Sequence, residues 1–153
     1  MKLFRRIHNN APVTLAFSLC ALLALILGNL TGGWTTTKFF CVYRSSLLDP
    51  LTYVRAFLHV LGHSGWAHYS GNILLLRVLG PQLEEKYGSR TVLECIAVTA
   101  FITGLLQWIL FPGMGVMGAS GIVFMMILMA SMGGMRQGSI PLTLILVDRK
   151  SVV

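Results

Sequence analysis

The sequence is poor in charge, and poorest in acid. Only 11% of its 153 residues are charged, and only 5 are Asp or Glu. Soluble proteins carry roughly 25% charged residues. So few charges cannot coat a water-facing globule of this size, and the natural solvent of the chain is lipid. Cysteine is scarce too. Cys20, Cys41 and Cys95 make no disulfide framework, and Cys20 and Cys95 lie inside apolar runs, where small buried hydrophobes are expected. Four histidines without a consistent carboxylate or thiolate set make a poor metal site, so no metal is expected. There is no repeat and no low-complexity tract, and the length allows one domain.

The basic excess, a formal net charge of +7, is not spread along one face. It falls in short clusters between apolar runs, the pattern of topology signals and anionic-lipid contacts rather than of a nucleic-acid surface. The partner expected from the charge pattern is therefore the lipid bilayer, with no nucleic acid.

The runs set the architecture. Residues 11–30 carry no charge, and at 1.5 Å per residue they span a hydrocarbon core of about 30 Å. This run is longer than a signal-peptide core and is followed by no clear cleavage site, so a retained membrane helix is expected. Residues 31–65 mix aromatics, charges and turn formers, including Trp34, Lys38, Tyr43, Arg44, Asp49-Pro50 and Arg55. Short interfacial helices are expected there. Further spans are expected at about 66–83, 91–111 and 118–135, with a partial one at 140–147. The connection 84–90 reads as a charged turn, and Glu94 lies one helical turn beyond Arg90 as its partner. Lys2, Arg5, Arg6, Lys86, Arg90 and Arg136 fall on one side of this topology, which favours a cytoplasmic N-terminus and a multi-pass protein of the plasma membrane. Arg77 is expected to snorkel toward the inner end of its helix or to face the bundle interior.

Spans two and four run the same way, so their N-terminal ends share a depth. His68 and Asn72 stand four apart on one face near the start of span two, and both donate hydrogen bonds. Ser120 opens span four between Gly118-Ala119 and Gly121, where free N–H groups and the positive dipole end collect. A serine, two side-chain donors and helix N–H groups form the electrophilic half of an acyl-transfer site. Taken singly, each of the three residues fits helix packing better than chemistry, and it is their clustering that points to function. His59 and His63 repeat the spacing of four and read as structural, and His8 as solvated.

With these residues assembled, the chain resembles the rhomboid family of intramembrane serine proteases. His63, His68 and Asn72 match its His-x4-His-x3-Asn pattern. Glu84 and Gly88 match its Glu-x3-Gly, Gly118-Ala119-Ser120-Gly121 matches its Gly-x-Ser-Gly, and Arg55 matches the Arg of its Trp-Arg pair, with Val54 where the family usually has Trp. Agreement runs over about residues 51–135. The resemblance implies an all-α polytopic bundle, a single incomplete rhomboid domain over 1–153, with four complete membrane helices and a shortened fifth. It implies Ser120 as nucleophile, and His68 and Asn72 with the Ser120 N–H as oxyanion hole. Arg55 would brace the first loop, Glu84 would tie the cytoplasmic end, and Gly121 would allow close packing. The substrates implied are transmembrane proteins cut near the outer leaflet, and no cofactor is implied.

The family's base is a His on its sixth core helix, and no His follows Ser120 here. Serine needs a base, so the chain alone is expected to cleave poorly. Two other readings stay open: a non-catalytic binder of membrane helices, and a channel subunit with Asn72, Arg77 and Glu94 along a path. The second lacks the repeated halves and broken helix pairs such proteins use.

Overall fold

A computed structural model describes residues 11–135. The basic N-terminal tail and the partial span expected at 140–147 lie outside the described residues. Six helices follow in order: α1 (Pro12–Leu30), α2 (Trp34–Phe39), α3 (Pro50–Leu58), α4 (Trp66–Tyr87), α5 (Ser89–Leu110) and α6 (Ser120–Met135), with a 3-10 turn at His59–Leu61 after α3. Among the described residues there is no strand, only one antiparallel bridge pair, Val42 with Val116. The protein is all-α. Helices α1 and α5 are long and apolar enough to cross a membrane. Helix α4 is as long as α5 but carries Arg77 and a charged last turn, and α6 is apolar but shorter.

Helix α4 packs against α1, α5 and α6. Its direction relative to α6 follows from contacts at both ends. A Cβ added to Gly118 would strike His68 near the start of α4, whereas one added to Gly133 would strike Lys86 near its end. The two helices are therefore parallel. Helix α1 runs antiparallel to α4, since Thr14 meets Gly80 and Glu84 while Ser18 receives the Tyr69 hydroxyl.

Small residues decide which faces meet. On α1 the buried positions are Thr14, Phe17, Ser18, Ala21, Ala24, Leu25 and Gly28, a stripe recurring every three or four residues. On α5, Val92, Ile96, Ala100, Gly104 and Gln107 repeat that spacing. In lipid there is no hydrophobic drive between apolar helices, so close backbone approach through small residues supplies the contact. Gly104 is one such case: a Cβ there would lie 2.5 Å from the Ala56 carbonyl oxygen of α3.

Two expectations need correction, and two open alternatives are narrowed. The charged stretch 84–90 is not a turn; α4 continues to Tyr87, and Gly88, at φ +85°, alone separates it from α5. A change of polarity marks where the hydrocarbon ends, and a helix can continue past that level. Cys20 is exposed and Cys95 half-buried rather than both being buried, because an all-apolar run does not itself say which face turns inward. Arg77 is exposed on α4 and does not face the bundle interior. Glu94 is exposed as well, paired with Arg90 at 2.9 Å, so with Asn72 half-buried the three residues line no common path.

The first loop is held by Arg55, only 5% exposed. Its Nε donates to the Lys38 carbonyl at 2.9 Å and its Nη1 to Ser45 Oγ at 3.1 Å. Nη1 also meets the Asp49 carboxylate at 3.4 Å, and the guanidinium lies over the Tyr43 ring at 4.6 Å. Asp49 in turn caps α3 by accepting from Leu51 N–H at 3.0 Å. An ammonium cannot reproduce this fork. Arg55→Lys is expected to lower stability by ~1–2 kcal/mol in detergent thermal unfolding. Arg44→Lys, at an exposed site, is expected to change it by less than about 0.5 kcal/mol.

Candidate active site

The site is built on the turn before α6. Val116 pairs with Val42 through two backbone bonds of 2.9 Å, and Gly118 N–H donates to the His59 carbonyl at 2.9 Å. Gln107 Nε2 donates to the Met114 carbonyl at 2.9 Å and the Phe111 carbonyl at 3.4 Å. The turn is thus fastened to the first loop, to the segment after α3 and to the end of α5. Gly118 adopts φ +128°, a conformation that L side chains rarely adopt.

His68 and Asn72 converge on that glycine, and His63 stands behind them, bonded to Asn72. His63 is buried, and burial holds its pKa below 6.5, with the His68 charge acting the same way against a bond to the Leu61 carbonyl. The ring is therefore neutral near pH 7. Its Nδ1 lies 3.1 Å from the Leu61 carbonyl, which can only accept, so Nδ1 carries the proton and Nε2 accepts. That fixes the amide of Asn72, whose Nδ2 sits 3.3 Å from His63 Nε2 and donates one hydrogen there, leaving the second free. His68 is set from its other edge. The Ser64 N–H approaches its Nδ1 at 3.5 Å, and Ser64 Oγ lies at 3.2 Å. A backbone N–H only donates, so in the neutral ring the proton resides on Nε2. The two imidazoles meet edge to face at 5.0 Å.

Both remaining donors border Gly118. A Cβ at that position would sit 2.8 Å from His68 Nε2 and 3.8 Å from Asn72 Nδ2. Two residues on, Ser120 begins α6. Val123 N–H closes the first turn onto the Ala119 carbonyl, so the N–H groups of Ser120, Gly121 and Ile122 have no intrahelical acceptor. Ala119 is fully buried and Ser120 is exposed. No described side chain bonds the Ser120 hydroxyl. Gly121 faces α5, where a Cβ would lie 3.4 Å from Thr103 Cγ2.

The remaining expected residues fall at two distances from this point. His59 is buried beneath the turn, its Nδ1 3.1 Å from the Ala56 carbonyl and its Nε2 3.2 Å from Thr103 Oγ1. Burial lowers its pKa, against the bonds to the Arg55 and Ala56 carbonyls. Arg55 belongs to the first loop, while Glu84 and Gly88 lie at the opposite end of α4. There the Glu84 carboxylate accepts from Thr14 N and Thr14 Oγ1, both at 2.7 Å, from Val13 N at 3.1 Å and from Ser89 Oγ at 2.6 Å. A cleft of about 420 Å³ opens beside the site, between the end of α1, α2, His63-Ser64 and Met117.

Sequence reasoning missed Gln107, Thr14 and Ser64. Gln107 had a signal, being a strongly polar residue at the end of an apolar run. Thr14 had the small-residue spacing of α1. Ser64 acts through its backbone as well as its hydroxyl and carries no motif of its own.

A comparison with curated proteins found no match. The family model described as the Rhomboid domain matches residues 50–146, a stretch that holds Arg55, His63, His68, Asn72, Glu84, Gly88 and the whole turn from Gly118 to Gly121. That match covers more than half of the chain, which therefore belongs to the rhomboid family.

Proposed function

We propose that the chain carries the nucleophile and oxyanion half of a rhomboid-type intramembrane serine endopeptidase. The family is membrane-embedded and generally consists of serine intramembrane proteases. The observation that carries the reading is the convergence of His68 Nε2 and Asn72 Nδ2 on Gly118, two residues before an exposed serine at a helix N-terminus.

In the proposed reaction Ser120 Oγ attacks the carbonyl carbon of a scissile peptide bond. The carbonyl π pair moves to oxygen, and His68 Nε2–H, the second Asn72 N–H and the Ser120 backbone N–H receive that charge. The hydroxyl proton passes to a base and then to the leaving amine. The acyl–Ser120 ester is hydrolysed by water, and both steps balance without a cofactor. No described side chain serves as that base. The substrates proposed are transmembrane proteins, entering as an unwound segment through the cleft beside His63. With a cytoplasmic N-terminus the site lies in the outer half of a multi-pass protein.

The test uses an exposed hydroxyl and an external base. The chain, reconstituted in phosphatidylcholine vesicles, is treated with a fluorophosphonate and titrated with imidazole. The expected result is an adduct mapped to Ser120, forming faster as imidazole is added. A folded chain with no adduct at any imidazole concentration would reject the nucleophile assignment.

One observation favours a second reading. Ser120, Phe124, Leu128 and Met132 are all exposed at helical spacing, an apolar stripe suited to holding another membrane helix. A non-catalytic binder would retain a bound helix equally well with Ser120→Ala.

A further inference from the structure

Arg77 has no hydrogen bond or ion pair among the described residues, and its charge acts only on the Tyr69 hydroxyl, two turns back on α4. It lies midway along α4 and is exposed, as are its neighbours Leu74, Leu75 and Val78. Three of the four described carboxylates already have partners. Asp49 meets Arg55, Glu84 receives Val13, Thr14 and Ser89, and Glu94 pairs with Arg90. Glu85 is in the charged last turn of α4. A second copy therefore brings no described carboxylate to the depth of Arg77.

On the multi-pass reading proposed above, which this inference rests on, α4 spans the membrane, where a charge at the middle of a helix is costly unless paired or hydrated. Snorkelling offers little relief here. The polar end of α4 begins at Glu84, about 10 Å away along the axis at 1.5 Å per residue, and helical side chains tilt toward the N-terminus, away from that end. Pro81 adds a second polar feature. It has no N–H to give the carbonyl four residues back, so the Arg77 carbonyl lacks its usual helical donor. The middle of α4 thus presents a guanidinium among exposed Leu74, Leu75 and Val78, with Gln82 the next exposed polar side chain, and a carbonyl without its helical donor.

We infer that this face docks a partner transmembrane helix carrying a carboxylic acid near its midpoint. The guanidinium receives the carboxylate through paired N–H bonds, and the flanking leucines and valine pack on the helix around it. The partner proposed is a different protein; the described part of this chain places no acid at that level. Binding of this kind needs no chemistry at Ser120 and stands apart from the protease reading.

The test measures association in phosphatidylcholine vesicles at pH 7.5. The chain carries a donor fluorophore, and the probes are synthetic polyleucine-alanine membrane peptides with lysine ends, an acceptor dye and Glu, Gln or Leu at the centre. The Glu peptide is expected to bind about tenfold more tightly than the Gln peptide. Arg77→Lys should keep most of that preference and Arg77→Leu should remove it, while Arg77→Glu should transfer it to a peptide with central Lys. These changes are at an exposed position and leave the packed core alone. Equal binding of the Glu and Gln peptides to the unaltered chain, or a Glu preference that survives Arg77→Leu, overturns the inference. So does an Arg77-dependent enrichment of spin-labelled phosphatidylglycerol over phosphatidylcholine without a Glu-peptide preference, which would make Arg77 a lipid site instead.

Discussion

Glu84→Ala is expected to cost about 3–5 kcal/mol, the range for breaking a buried charged network by removing one partner. Its carboxylate accepts four hydrogen bonds, two from the first backbone N–H groups of α1, one from the Thr14 hydroxyl and one from Ser89 at the start of α5. Helix α1 has no side-chain cap of its own at Ala11. Its N-terminal donors are therefore satisfied by a residue about seventy positions later, at the positive end of the helix dipole where a carboxylate is favoured. Removing the carboxylate leaves buried donors unpaired and releases three helices from one another at that end. Glu84→Gln retains an acceptor oxygen and should lose roughly half as much, since bonds to charged groups are worth about 1.5–3 kcal/mol against about 1 for neutral ones. Glu85→Ala, next in sequence but exposed, should change stability by less than about 0.5 kcal/mol. Thermal or denaturant unfolding in one detergent compares the three. Equal stability of the Glu84→Ala and Glu85→Ala proteins would remove Glu84 from its tying role.

Glu84 also shows what the chain declares in advance and what it does not. Its motif with Gly88 was legible, and so was the need for glycine between two helices. Its partners were not, because two of the four are backbone N–H groups, which leave no mark in the sequence. The apolar runs located α1, α5 and the start of α6 within about two residues, since length and lack of charge are what a membrane demands. They did not locate the end of α4, where the same criterion reports the edge of the hydrocarbon. The buried faces could have been read from the spacing of small residues, as Ser18, Ala21 and Gly28 illustrate. Hydrophobicity could not supply that reading, because α6 is apolar all round. Ser120, His68 and Asn72 were legible by type and depth. Their geometry rests on Ser64, Leu61 and the His59 carbonyl, which act wholly or partly through backbone atoms.

Gly118→Ala is expected to slow adduct formation at Ser120 by about 10²–10³-fold, the effect of losing one oxyanion donor. Two physical causes add. A φ of +128° is strained for alanine and costs on the order of 1–3 kcal/mol, and the new Cβ would stand 2.7 Å from His68 Cε1 and 2.8 Å from His68 Nε2. The imidazole must move, and its N–H no longer points where an oxyanion forms. Gly113 provides the control, since nothing lies within 4 Å of a Cβ there, and Gly113→Ala should alter the rate less than about twofold. A double-mutant cycle separates strain from clash. With His68→Ala already in place the ring is gone, so adding Gly118→Ala should cost little beyond the backbone strain, and the two changes should be far from additive. If Gly118→Ala slows the reaction equally with and without the His68 ring, displacement of that ring is not the cause, and the turn would act through the position of Ser120 alone.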